Sequence, residues 1–234
     1  MSQHFEQEVQ HLKQQLLTMA SHAENAVRRA VKALLEQNRS LAAQVAQEDD
    51  VLDRFEVEID ELAIQALAKA PLASDLRLVT RAMKISHELE RIGDAATTIA
   101  RRAQELPPGL PLEEFVDIPR ITQLVLLMLK DALDAFVNHE PDRARAVIPR
   151  DKEVDRLNKE AHRNLGEYLQ QQPGATAWAL HLMAITKSLE RIGDHAKNIA
   201  EDVVYLYEGR DIRHGGATAP GRPAAGMNDT QAHS

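Results

Sequence analysis

Apolar residues return every three or four positions along six long stretches of this chain, each bounded by proline, glycine or a small polar residue. Phe5, Val9, Leu12, Leu16, Met19, Ala23, Val27, Ala30 and Leu34 set the first stretch and predict one amphipathic helix over about residues 5–37. Asn38 and Ser40 are placed to end it and cap the next. Leu41, Val45, Leu52, Phe55, Ile59, Leu62 and Ala66 carry the same period toward Pro71, which cannot continue a helix. Ser74 is then expected to cap a third helix carrying Leu76, Val79, Met83, Ile85, Leu89, Ile92, Ala96 and Ile99.

The plan repeats after Pro107-Pro108-Gly109. Asp117, with Pro119 in the first turn, opens a helix of Ile121, Leu124, Leu127, Met128, Ala132 and Phe136. The fifth helix follows from about Glu140, and Pro149 either kinks it or delays its start. Gln172-Pro173-Gly174 turns the chain into a last helix of about residues 175–207, with Gly209 placed for a left-handed C-terminal cap. Short turns between long helices imply antiparallel neighbours. The expected fold is therefore all-α: two tandem three-helix bundles at residues 1–106 and 114–209, a proline-rich linker at 107–113, and a disordered tail at 210–234 lacking apolar period.

The two halves are copies. Glu90-Arg91-Ile92-Gly93-Asp94 recurs letter for letter as Glu190-Arg191-Ile192-Gly193-Asp194, and Met83/Met183, Ile85/Ile185, Leu89/Leu189, Ala96/Ala196 and Ile99/Ile199 extend the match. Composition agrees with helices, because 44% of residues are hydrophobic but only 3% aromatic, a balance poor in the residues that favour sheets. With no cysteine, disulfides and thiolate zinc sites are excluded. A formal charge of −8 with isolated arginine pairs disfavours nucleic-acid binding. The opening Met-Ser-Gln-His-Phe-Glu has no secretory pattern, and the apolar run Ile121 to Leu129 is too short to span a bilayer, so neither secretion nor direct membrane insertion is expected.

What was copied includes acidic pairs. Glu90 and Asp94 lie at i,i+4 on one helix face, where like charges weaken an isolated helix by roughly 0.2–0.5 kcal/mol. Asp49 and Asp53 have the same spacing on the second helix and align, at an offset of 102, with Asp151 and Asp155. Four carboxylates converging from two helices would offer oxygens to a hard cation and turn the repulsion into a gain. The candidate metal ligands are thus Asp49, Asp53, Glu90 and Asp94 in the first unit, and Asp151, Asp155, Glu190 and Asp194 in the second. The expected ion is divalent or ferric, with Mg, Mn, Fe and Zn all open.

Ordinary solvated charge is the competing reading, with Arg91–Asp94, Lys187–Glu190 and Asp194–Lys197 as local pairs. Gly93 and Gly193 point to a close approach, by ligand or by neighbouring helix. His195, matched by Ala95, lies outside the duplicated set, and Asn198 is a possible extra oxygen in the second unit only. A ferritin-like di-metal centre needs Glu-x-x-His on two helices, and only Glu8-x-x-His11 occurs. No phosphate-binding loop, dinucleotide fingerprint or serine elbow is present, so the chain is read as a non-enzyme. A carboxylate-metal hydrolase or oxidase and a plain helical scaffold are the alternatives.

The duplicated Leu-Glu-Arg-Ile-Gly-Asp, the continuation Asp194-His-Ala-Lys-Asn-Ile-Ala-Glu201 and the segment Pro71-Leu-Ala-Ser-Asp-Leu-Arg77 together resemble the PhoU-type regulators of bacterial phosphate transport. The resemblance spans roughly residues 4–209. It implies that the eight carboxylates line multinuclear metal sites on two three-helix bundles. It further implies a cytoplasmic adaptor, peripheral to the inner membrane through its partners. Those partners would be the ATPase subunit of the phosphate ABC transporter and a phosphate-sensing histidine kinase, and the starvation response would be repressed when phosphate is abundant. Self-association as a homodimer is expected. Asp75 and Arg77, which have no second copy, are candidate partner-binding residues.

Overall fold

The computed structural model describes residues 3–68, 72–209 and 211–212. Among them the chain forms eight α-helices and no strand, arranged as six helical rods, three from each half. The first rod is α1 (Gln3–Leu35), the second is α2 (Arg39–Gln47) followed by α3 (Asp50–Leu67), and the third is α4 (Ala73–Gln104). The second half repeats this with α5 (Ile118–Asn138), then α6 (Pro141–Val147) and α7 (Asp151–Gln171), then α8 (Thr176–Glu208). Of the segment expected to be a disordered tail, all but residues 211 and 212 lies outside the described residues.

The periodic apolar positions are the core. Leu12, Leu16, Met19, Ala23, Val27 and Ala30 of α1 are fully buried, as are Val79, Ile85, Leu89, Ile92, Ala96 and Ile99 of α4 and their copies in α8. Met19 and Met128 fill the interior, and Met83 and Met183 pack at its margin. The expected caps form at two helix starts: Asn38 accepts from the Leu41 amide and Asp117 from the Arg120 amide, each at 3.0 Å. Gly209 ends α8 in the left-handed region, with φ of 67°.

Two expectations need correction, the continuous second rod and the Ser74 cap, while the break at Pro149 is the expected one. The second rod is not continuous: it breaks at Glu48–Asp49, where the Glu48 amide bonds back only three residues to Val45 and Arg29 of α1 holds the Glu48 carboxylate. That tertiary ion pair has no signature in a periodic pattern. The fifth rod breaks at the matching place through a 3-10 turn at Ile148–Arg150, because Pro149 supplies no amide to the helical ladder. Ser74 does not cap α4; the cap position is the extended Leu72, and Ser74 lies inside the first turn.

The turn from first to second rod closes in both halves on a non-glycine residue in left-handed conformation, Gln37 at φ 52° and His139 at φ 61°. In each, the following amide reaches back five residues, Asn38 to Ala33 and Glu140 to Ala135, satisfying a terminal carbonyl.

The halves meet along α4 and α8, the most extensive helix pairing in the described residues. Arg81 donates to Asp202 at 2.5 Å, Glu88 accepts from His195 at 2.6 Å and from Asn198 at 3.1 Å, and Arg102 meets His181 at 3.4 Å. As the α4 number rises, the α8 number falls, so the helices run antiparallel over roughly 30 Å at 1.5 Å per residue. Arg81 also stacks on Tyr205, with its guanidinium 4.1 Å from the ring centre. No helix of the described residues is long and apolar enough to cross a membrane.

The duplicated glycines face unlike neighbours. A Cβ on Gly93 would stand 2.1 Å from Leu52 Cδ1, whereas on Gly193 it would meet only Val125 and Val154 at 3.4 Å, an ordinary contact. The close approach at Gly93 is therefore made by a neighbouring helix, and Gly193 has only ordinary contacts with its neighbours. Gly193→Ala is expected to raise stability by up to about 1 kcal/mol through helix propensity. Gly93→Ala must first displace Leu52 and is expected to gain less or lose stability. Urea unfolding of the two variants beside the parent checks this, and equal gains would contradict it.

Candidate metal centre

The breaks in the second and fifth rods set the acidic residues in place. Asp49 sits at the start of α3 and Asp151 at the start of α7, so each half gains a helix N-terminus whose positive end favours carboxylates. Glu90 and Asp94 on α4, and Glu190 and Asp194 on α8, present the second pair from the adjoining rod.

In the first half the charges converge. The Asp53 carboxyl is held above the usual carboxylate range by desolvation and by the negative charges of Asp49, Asp94, Glu56 and Asp50. Glu90 is only 9% exposed, and burial, reinforced by Asp94, Glu56 and Asp53 against the pull of Arg91, pushes its pKa up to about 7. Its Oε2 is buried without a hydrogen-bond partner; Arg91 Nε lies 3.1 Å away but is not aligned to donate. Asp94 takes Arg91 at 3.1 Å, and Asp49 takes Arg101 from α4 at 2.9 Å. Two residues outside the duplicated pattern join the set. Glu56 of α3 and His87 of α4 lie with Glu90 so that one ligand atom from each falls within 4.8 Å of the others.

In the second half Asp151, Asp155 and Asp194 share one charged environment, but lysines are already there. Lys197 Nζ donates to Asp151 at 2.5 Å and to Asp194 at 3.1 Å, and Lys187 pairs with Glu190. Burial raises the Asp151 pKa, with Lys197 opposing and Asp194 and Asp155 adding to it. For Lys197, burial works against the charge, but its bonds to the two aspartates outweigh it and hold the ammonium protonated. At the matching positions the first half has Thr97 and His87, so it carries no lysine of its own in the cluster.

Asn198, expected near the second cluster, instead donates to Glu88 across the seam between halves, and half-buried His195 does the same. Asp75 and Arg77 part company: Asp75 is buried with Oδ2 lacking a hydrogen-bond partner, and Arg77 is exposed. Glu56 and His87 escape a search for repeats because their counterparts are Asn158 and Lys187. The available signal was the i,i+3 spacing of Asp53 with Glu56 and of His87 with Glu90, which puts each pair on one helix face.

The raised Glu90 pKa has a sign for stability. With a folded pKa of about 7 against an ordinary value of 4.5, the folded state binds more protons between those limits. The contribution is fully present below about pH 4.5 and is lost as pH rises through about 7, on the order of 3 kcal/mol at most. In chelator-treated protein, Glu90→Gln is expected to flatten this part of the melting profile and to raise the melting temperature above pH 7. Parallel melting curves from pH 4.5 to 8 test it, and superimposable slopes would refute it.

Comparison with known proteins places this architecture. The PhoU domain family model matches twice, at residues 16–103 and 118–203. The chain is 42% identical over 219 residues to the phosphate-specific transport system accessory protein PhoU homolog of Pseudomonas aeruginosa, covering 93% of this chain and 90% of that protein. It is 34% identical over 216 residues to the accessory protein PhoU of Serratia marcescens, covering 92% and 89%. Among solved structures, PhoU from P. aeruginosa superposes with a TM-score of 0.83 at 41% identity, over 88% of this chain and all of that one. The phosphate transport system regulatory protein PhoU from Streptococcus pneumoniae gives the same TM-score at 26% identity, covering 89% and 99%. With two matched domains on two copied bundles, relatives aligned over nearly their full length and the same all-helical fold, this chain belongs to the PhoU family.

Proposed function

We propose that this chain is an accessory regulator of a phosphate-specific transport system, acting by binding partners and not by turnover. The observation that carries the reading is the end-to-end alignment with relatives of that name, at 42% identity over 93% of the chain. It links the ATPase subunit of the phosphate ABC transporter to a phosphate-sensing histidine kinase and restrains the starvation response when phosphate is plentiful. It works in the cytoplasm at the inner membrane, held there by those partners, and self-associates as a dimer.

Metal ions belong to this reading through the acidic clusters. The first cluster fits a cation: a buried Glu90 oxygen lacks a hydrogen-bond partner, and burial together with the surrounding carboxylates raises the pKa of Glu90 and of Asp53. Asp53, Glu90 and Asp94 would hold it, and the bound charge would neutralise the repulsion between α3 and α4. The second cluster fits less well, because Lys197 and Lys187 already neutralise Asp151, Asp194 and Glu190.

Deletion of the gene in its host is expected to switch on phosphate-starvation genes in phosphate-rich medium, and residues 1–210 are expected to restore repression. Transcript levels across the deletion and complemented strains give the answer, with any paralogous gene removed as well. Unchanged repression in that background would overturn the regulatory reading. Crosslinking with the full chain as bait should recover the transporter ATPase and the kinase.

A further inference from the structure

We propose that the linker between the two bundles borders a binding site for one small straight-chain carboxylate, with an apolar pocket for its chain and Arg39 for its charge. The site lies apart from the acidic clusters and does not depend on phosphate regulation. Two cavities border residues 110–112 and share Gln37, Leu110 and Leu112 as lining. One, of about 380 Å³, lies against the ends of α1 and α4, where Leu34, Ala103, Leu106 and Pro108 give it apolar walls and Gln37 and Arg39 are its polar residues. The other, of about 450 Å³, carries Glu113 and Asp117 in place of a cation, so an anion is steered to the Arg39 side. Apolar walls with few polar groups, at the meeting of two domains, are the usual form of a small-ligand site.

The residues set the chemistry of the ligand. Arg39 is exposed and takes no hydrogen bond or ion pair among the described residues, so its guanidinium is free to hold a carboxylate through two parallel bonds. It is also the first residue of α2, whose positive end adds to the attraction. At roughly 30 Å³ for each water-sized group, the cavity has room for about a dozen heavy atoms, the size of decanoate. The Gln37 side-chain carbonyl accepts from the Gly109 amide at 2.9 Å and ties the linker to the turn after α1, which makes the rim part of the fold. The copy of Gln37 is His139, which stacks on Tyr207 and meets Lys13, so the second bundle builds a different junction there and one site per chain is expected.

The test is isothermal titration calorimetry of the full chain with sodium decanoate, kept below the concentration at which it forms micelles. The expected result is saturation at one equivalent per chain. Octanoate should bind about fifteenfold more weakly, since each buried methylene is worth about fourfold in affinity. Decylamine, which carries the same chain on a cation, should bind about tenfold more weakly or worse, and Arg39→Gln should cost decanoate about tenfold, the worth of a hydrogen bond to a charged group. Arg39 is exposed, so its replacement should leave the melting temperature unchanged. Ala103→Leu, which fills the cavity from α4 and keeps Arg39, should weaken decanoate binding while far-ultraviolet circular dichroism stays the same. Lys159→Gln, an exposed cation on α7, should change nothing. Equal binding of decanoate and decylamine, uptake of several equivalents, or parental affinity in Arg39→Gln or in Ala103→Leu would each overturn the proposal. A parent chain that takes up no decanoate would overturn it too and would leave the regulatory reading, scored in the deletion strain, untouched.

Discussion

The structure depends on a duplicated helix packing against its own copy. The contacts from Arg81–Asp202 through Glu88–His195 to Arg102–His181 keep one antiparallel register, and the copies are offset by 100 residues. Together these put the crossing of α4 and α8 at their Arg-Ile positions, so the repeated Glu-Arg-Ile-Gly-Asp of one half lies opposite the same segment of the other. Small and β-branched residues near that point, Ile92, Gly93, Ala96 and their copies, are buried. Everything else in each half wraps around this seam.

The symmetry of such a seam constrains its charges. Arg81 and His181 are copies, as are Arg102 and Asp202, and the register pairs them crosswise as Arg81–Asp202 and Arg102–His181. One pair is a buried, charge-assisted bond with Tyr205 stacked on it, and the other is an exposed contact between two nitrogen groups. Removing one partner of a buried pair leaves an uncompensated charge, which gives the Arg81–Asp202 end the tighter hold on the two halves. Divergence at these positions makes the two bundles different in surroundings even where their motifs are identical.

The same divergence reaches the acidic clusters. Carboxylates gathered by two helices are a repulsive arrangement that each half must neutralise, and the halves do so differently. The second uses Lys197 across Asp151 and Asp194 and Lys187 on Glu190. The first uses arginines, Arg101 on Asp49 and Arg91 between Asp94 and Glu90, and buried oxygens of Glu90 and Glu190 alike lack a hydrogen-bond partner. Burial and repulsion then raise the Glu90 pKa, which reports the unmet charge.

From the sequence alone came the helices, their caps at Asn38, Asp117 and Gly209, the two copies and the positions of the acidic pairs. These are local quantities: a helix repeats its face every 3.6 residues, so periodicity assigns core positions such as Leu12, Leu16 and Ile92 without knowledge of their neighbours. Only the tertiary structure decided which groups meet between helices. At the break the Glu48 carboxylate is held by Arg29 of another rod, Gly93 and Gly193 differ because Leu52 presses on one and two valines border the other, and Asn198 turns to Glu88 instead of Asp194. Glu56 and His87 join Glu90 because α3 and α4 bring them together, and no repeat marks them, since their copies are Asn158 and Lys187. Contacts between helices depend on register, crossing and side-chain reach, none of which the spacing along a single helix encodes.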